Sequence, residues 1–404
     1  MLQTLISDKM DLEDVCSKVS EAGEELRKKM TFEIISMQEL SMLAQSDEFA
    51  MIIKTVLELN DDCEMSLYLH QYQALHALAE GKDVLLISPC GSGKTRVLLN
   101  APGVVKMGFE LKTSTKSQEN PLAIVCCPLT SIMEDKLKDQ PKAGMLSMSG
   151  SCQTGASDKN KVSLSKSESE FMSGSLSHVY GHPESFATEI GKKILETQEG
   201  RIAVFICDEV GFNVWGIEFR PLMSTVPGAI RVFSDSNAPM LCMSATVGKS
   251  EQIKIMNDLG MTNREVLIIE QNPVMNNLFL AKVKRPSNQK GFYESGGLKD
   301  ILSDLYLNEF ILDPEKSRKA IIFCKNEEDL IKVYEYLELE IGNQHLNMKN
   351  RPWVQYHAST GEKTLTWIHK RLKGTGSEVK LLISTYKLIM GVDLKDFDLA
   401  IFLR

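Results

Sequence analysis

Lys94 and Thr95 close a glycine-rich turn, Ser88-Pro-Cys-Gly-Ser-Gly-Lys-Thr95, whose residue types and spacing are those that hold phosphate groups. Glycines at 91 and 93 let backbone N–H groups wrap around phosphate oxygens with no Cβ in the way. Ser88 stands where the usual pattern has its first glycine, and Ser92 lies between the other two. An apolar run, Val84 to Ile87, precedes the turn and reads as a buried parallel strand, while Arg96 to Asn100 reads as the start of a helix. That helix N-terminus adds partial positive charge, Lys94 reaches the β- and γ-phosphates, and the Thr95 hydroxyl ligates Mg²⁺. The alternative is a surface turn that happens to end in Lys-Thr. The flanking strand and helix argue against it.

A second group of candidates follows the apolar run Ile202 to Cys207, which ends in Asp208-Glu209. Carboxylates at the C-terminal edge of a parallel strand sit where α/β folds bind ligands. Asp208 is expected to hold Mg²⁺, directly or through water, and Glu209 to orient or deprotonate an attacking water. An acidic pair after a strand is more often a solvated turn. The position of this one downstream of a phosphate loop favours chemistry.

These groups need a frame, and the chain is long enough to build one. Its 404 residues allow two or three domains, with hydrophobic and charged fractions ordinary for a globular protein. No apolar run is long enough to span a membrane, and no membrane partner is expected. Nine cysteines occur without a Cys-x-x-Cys pair, which argues against a zinc site or a disulfide framework. A formal net charge of −8 gives no global attraction to nucleic acid, so any such contact must be local.

Residues 1–62 show helical spacing (Leu12, Val15, Val19, Leu26) and predict a helical N-terminal extension, a scaffold or a docking site for protein partners. Leu67 to Glu80 predicts a helix with Gln71 near its start, and Ala123 to Cys127 a second buried strand. A polar loop is expected from Gly108 to Asn120, and a serine-rich surface loop over 140–177. Met240-Leu-Cys-Met-Ser-Ala-Thr246 reads as a further strand.

The stretch Pro128-Leu-Thr-Ser-Ile-Met-Glu-Asp135 resembles the Pro-Leu-x-Ser-Leu-Met-x-Asp pattern of the RecQ-type DNA helicases of superfamily 2, with Ile132 in place of Leu. Trp215-Gly-Ile-Glu-Phe-Arg-Pro221 resembles that family's aromatic-rich loop, and Ser244-Ala-Thr246 its linkage motif. In the second half, Tyr356-His-Ala358 and Ser384 to Asp393, with Met390-Gly-Val-Asp393, match the second motor domain in order. The resemblance covers about residues 65–404. It implies that Gln71 reads adenine, that Thr130 and Ser131 meet DNA phosphates, and that Trp215, Phe219 and Arg220 engage single-stranded DNA. It also implies that Asp393 meets ribose or the opposing domain. Two departures stand out: Gly211 where the family has His, and Ile389 where it has Gly.

The fold expected is α/β, two RecA-like parallel-sheet domains over 63–271 and 278–404, the second incomplete, behind the helical extension. The family continues into a Gln-x-x-Gly-Arg-x-Gly-Arg motif that does not occur here, so the chain reads as truncated and slow in hydrolysis. The function implied is ATP-dependent 3′-to-5′ unwinding of single-stranded or forked DNA, with ATP and Mg²⁺ as cofactors. The nucleus is the implied location in a eukaryote, and the cytoplasm otherwise. The alternatives are a weakly active ATP- and DNA-binding module and an RNA helicase of the DEAD-box type.

Overall fold

The central strands of the first unit are largely apolar because they are covered on both faces. The computed structural model describes residues 32–60, 66–117, 119–128, 130–147, 152–154, 170–211, 237–272, 292–293, 297–341, 351–357, 379–385 and 397–403, with a few positions between 360 and 372. Thr31–Val274 form one compact unit, and the described residues beyond them belong to a second.

The first unit opens with a short strand β1 (Ile34–Ile35) and helices α1 (Met37–Leu43) and α2 (Glu48–Leu59). Ser36 and Glu39 cap α1 reciprocally, and Asp47 caps α2 by accepting from the N–H groups of Phe49 and Ala50. β2 (Leu67–Tyr68) pairs antiparallel with β1 and leads into α3 (Leu69–Ala79). The main sheet then begins with β3 (Asp83–Ile87), α4 (Lys94–Thr113), β4 (Leu122–Cys126) and α5 (Thr130–Asp139). It continues through β5 (Ala143–Leu146), β6 (Cys152–Thr154), β7 (His178–Gly181), α6 (Pro183–Phe186) and α7 (Glu189–Thr197). β8 (Ile202–Cys207), β9 (Met240–Ser244), α8 (Lys249–Asp258) and β10 (Val266–Glu270) complete it.

The strand order is β10-β3-β9-β8-β4-β7-β5-β6, and among these pairs only β5 and β6 run antiparallel. Alternate strand residues feed two cores. Val84, Leu86, Ala123 and Val125 face the cluster holding Leu40, Ile53, Leu57 and Leu75 of the preceding helices. Leu85, Ile87, Ile124 and Cys126 face the other, with Ile194 and Ile255. The segment read as an extension thus contributes α1 and α2 to the packing on one face of the sheet.

Two local readings are corrected. The helix after the phosphate loop does not stop near Gly108 but runs to Thr113, with Pro102 inside it. Proline at 102 has no N–H for the Leu98 carbonyl, and the buried His178 Nε2 lies 3.3 Å from that oxygen as a replacement donor. Gly108 permits close passage against α3, since a Cβ there would lie 2.0 Å from the Ala79 carbonyl oxygen. The serine-rich stretch also contains strand: Ala143–Leu146 pairs with β7, and Gly144 leaves room for the Phe171 ring.

In the second unit a helical stretch comprises α9 (Leu298–Leu302), a π-turn at Ser303–Leu307 and α10 (Asn308–Leu312). β11 (Ala320–Cys324), α11 (Glu327–Ile341), β12 (Trp353–Tyr356), β13 (Leu381–Thr385) and β14 (Leu399–Phe402) follow. Its described strands pair in parallel, in the order β12-β13-β11-β14, as the alternation of strand and helix predicts. Trp353 is buried against Phe310 in an edge-to-face contact. Residues 278–291, the start of the expected second domain, lie outside the described residues.

Candidate functional site

The strand order brings the C-terminal ends of β3, β9 and β8 side by side. Backbone bonds carry that adjacency past the strands: Ser88 N–H donates to Ser244 O at 3.0 Å, and Val210 N–H to Met243 O at 2.9 Å. Asp208 N–H donates to Cys126 O at 3.0 Å, which draws the end of β4 to the same edge. The phosphate-type loop, the Ser-Ala-Thr motif and the acidic pair are therefore one constellation.

Gly93 has φ +77 and serves as the N-cap of α4 without a side-chain bond, so the cap residue itself leaves the first-turn N–H groups uncovered. Gly91 has φ +78 and open space where a Cβ would stand. Gly93 is required twice over, by its backbone angle and because a Cβ there would come 2.3 Å from Gln71 Nε2. Ser88 and Ser92 are buried, and their hydroxyls lie 2.8 Å apart, pinning the two ends of the loop. That gives the serine at the first-glycine position a structural use.

Lys94 Nζ donates to the Ser88 and Pro89 carbonyls at 2.6 and 3.0 Å, which draws its ammonium over the loop. Burial pulls its pKa down, opposed by the Cys90, Glu209 and Asp208 side chains. Thr95 is exposed. Gln71 is buried and fully engaged: Nε2 donates to Gly93 O at 3.0 Å and Ser92 O at 3.3 Å, while Oε1 accepts from Tyr68 N–H at 2.9 Å. In this structure its amide is thus a strut between β2 and the loop.

Asp208 is buried, and Glu209 beside it adopts a left-handed backbone with φ 52, uncommon for a residue with a side chain. Burial raises the Glu209 pKa and the Asp208 charge raises it further, against Lys94 and Lys136. A carboxylate displaced upward in this way is suited to taking a proton from water. The group missed by the motifs is Lys136, whose Nζ lies 3.0 Å from Asp208 Oδ2. A signal for it was present. Ile132, Met133, Lys136 and Leu137 follow helical spacing, which puts this lysine on the inward face of α5.

Thr130 and Ser131 open α5, but their side chains lie outside the described residues, as do Trp215, Phe219, Arg220 and Asp393 altogether. The donor set for Mg²⁺ is one aspartate and one threonine hydroxyl, which fits a cation that fills its shell with water and phosphate oxygens. Among the described residues, no group of three or more His, Cys, Asp or Glu is placed to hold a metal. No helix among them is long and apolar enough to cross a membrane.

Residues 68–254 match the DEAD/DEAH box helicase family. The chain is 25% identical over 335 residues to the ATP-dependent helicase SGS1 of Saccharomyces cerevisiae, covering 81% of this chain and 20% of that protein. It is likewise 25% identical over 339 residues to the ATP-dependent DNA helicase Q1 of Pongo abelii, covering 81% and 44%. The chain therefore spans less than half the length of these relatives. Among solved structures, the DUF1998 helicase MrfA bound to DNA and AMPPNP matches with a TM-score of 0.61 and 16% identity, over 93% of this chain and 48% of that one. Fold, site geometry and relatives point the same way: residues 68–254 match a DEAD/DEAH box helicase domain, and over 81% of its length the chain is similar to ATP-dependent helicases.

Proposed function

We propose that this chain is an ATP-dependent DNA helicase of RecQ type that hydrolyses Mg-ATP and moves 3′-to-5′ on single-stranded DNA. The observation carrying this reading is the gathering of the Lys94 loop, Asp208 and Glu209 at one sheet edge from distant parts of the chain. Similarity to the ATP-dependent DNA helicase Q1 supports DNA over RNA, as do the Pro128 to Asp135 and Trp215 to Pro221 stretches. The polarity rests on the family resemblance.

Bound Mg-ATP would supply the γ-phosphoryl group and the cation that neutralises its charge. Backbone N–H groups from 91 to 95 and the Lys94 ammonium hold phosphate oxygens. The Thr95 hydroxyl would hold Mg²⁺, with Asp208 holding it directly or through water. Glu209 accepts the proton of the attacking water on a carboxylate oxygen. On the family resemblance, Gln71 reads adenine by exchanging its bonds to the Ser92 and Gly93 carbonyls for the base, Thr130 and Ser131 hold DNA phosphates, Trp215, Phe219 and Arg220 engage the single strand, and Asp393 meets ribose or the opposing domain. A second reading, nucleotide and DNA binding with little turnover, is favoured by Gly211 in place of the family's His.

Steady-state ATPase measured with and without single-stranded DNA tests this. DNA-stimulated turnover lost in Glu209→Gln supports the helicase. Tight nucleotide binding with no turnover under either condition supports the second reading.

A further inference from the structure

Asp208 is occupied twice within its own unit. Its Oδ1 accepts from Glu209 N–H at 3.1 Å, and its Oδ2 holds the Lys136 ammonium at 3.0 Å, with the two side chains only 13% and 9% exposed. Lys136 is carried by α5 between the packed Met133 and Leu137, so its stem is held on the inward face and its charge is directed at the carboxylate. Water does little to screen such a pair. A hard divalent cation needs the same anionic oxygen, and an ammonium and a doubly charged ion cannot both sit against it without strong mutual repulsion.

We propose that Lys136 competes with Mg²⁺ for Asp208, so that the ammonium must withdraw before the metal can enter. The strength of this ion pair then sets the free Mg²⁺ concentration at which the nucleotide site is loaded. Lys136 is in this sense a positioning residue: it acts through Asp208 and need not touch nucleotide. The inference rests on Asp208 being the Mg²⁺-holding carboxylate of the proposed function.

The consequence has a definite sign. A lysine that merely braced the fold would leave the metal dependence unchanged, and one that gripped phosphate would weaken nucleotide binding when removed. A competing lysine does neither. Its removal leaves the carboxylate without the ammonium bonded to it, and the metal takes that place at lower concentration.

The test is a titration of free Mg²⁺, set by chelator buffers, against the binding of a fluorescent non-hydrolysable ATP analogue to the full chain. Lys136→Gln and Lys136→Met should lower the Mg²⁺ midpoint about tenfold, a change of about 1.4 kcal/mol. Lys136→Arg, which keeps the charge, should stay within about twofold of the parent. Mn²⁺ binding followed by electron paramagnetic resonance without nucleotide should tighten in the same two variants. Thermal melting in chelator and in Mg²⁺ reads the same competition: the neutral variants should gain more from the metal than the parent does. A midpoint that is unchanged or raised in folded neutral variants overturns the proposal. So does neutral variants failing to fold with or without Mg²⁺ while the Mn²⁺ affinity of Lys136→Arg departs from the parent's. If the parent binds the analogue equally well with and without Mg²⁺, the assignment of Asp208 itself fails and this inference falls with it. A parent that binds no analogue, while Mn²⁺ still tightens in the neutral variants, would sink the nucleotide reading and leave the competition standing.

Discussion

Gly93→Ala isolates the contact that ties Gln71 to the phosphate loop. Two penalties arise at once. A side chain at φ +77 adopts the left-handed region, at a cost of roughly 1–2 kcal/mol. The new Cβ also falls 2.3 Å from Gln71 Nε2, so Gln71 must abandon its bonds to Gly93 O and Ser92 O. Each is worth about 1 kcal/mol net, which brings the expected loss to about 3–4 kcal/mol. Gln71→Ala removes the obstruction beforehand. In that background Gly93→Ala should cost only the backbone term, about 1–2 kcal/mol. Denaturant unfolding of the four proteins of this cycle measures the difference directly. A coupling of about 2 kcal/mol is expected, the worth of the two abandoned bonds. Strict additivity, or a Gly93→Ala penalty within about 0.5 kcal/mol of zero, would refute the claim that Gln71 and Gly93 meet as described.

His178 is buried with its pKa lowered to about 4, so it stays neutral and donates to Leu98 O at neutral pH. Its folded pKa lies below the unfolded 6.5, so the stability it contributes is complete above pH 6.5 and is lost as pH falls towards 4, by about 3 kcal/mol in all. His178→Gln, which keeps an N–H donor, should flatten that limb in pH-dependent unfolding; an unchanged limb would contradict it. Glu209, raised by burial and by Asp208, should place the acid limb of ATP turnover above the ordinary glutamate range. A limb at the ordinary position would remove Glu209 as the base. Binding to single-stranded DNA should weaken as salt rises, and Trp215→Ala should cost roughly 1–3 kcal/mol if its ring stacks on a base. Affinity indifferent to both, read by fluorescence anisotropy, would sink the aromatic-loop assignment.

The site was legible where residue type and strand pattern coincide. Val84 to Ile87 and Ile202 to Cys207 are apolar throughout because their strands are covered on both faces, so the groups that follow them had to lie at one edge. Pairing order was not legible. That β9 lies between β3 and β8 is a long-range fact that no local spacing encodes. The length of α4 was misjudged because Gly108 and the polar residues after it read as loop, whereas that glycine lies inside the helix where it passes close to the Ala79 carbonyl. Lys136 escaped for a related reason: its helical position was readable, but its partner Asp208 becomes a neighbour only when β4 and β8 pair.

The central claim is that the Lys94 loop is the nucleotide site, and calorimetric titration with an Mg²⁺-bound ATP analogue addresses it most directly. Lys94 meets loop carbonyls through its ammonium and is not part of the apolar core, so Lys94→Ala should leave the unfolding transition near that of the parent. The parent should bind the analogue at one site per chain, and the folded Lys94→Ala variant should lose that binding. Equal affinity in the two folded proteins would contradict the account.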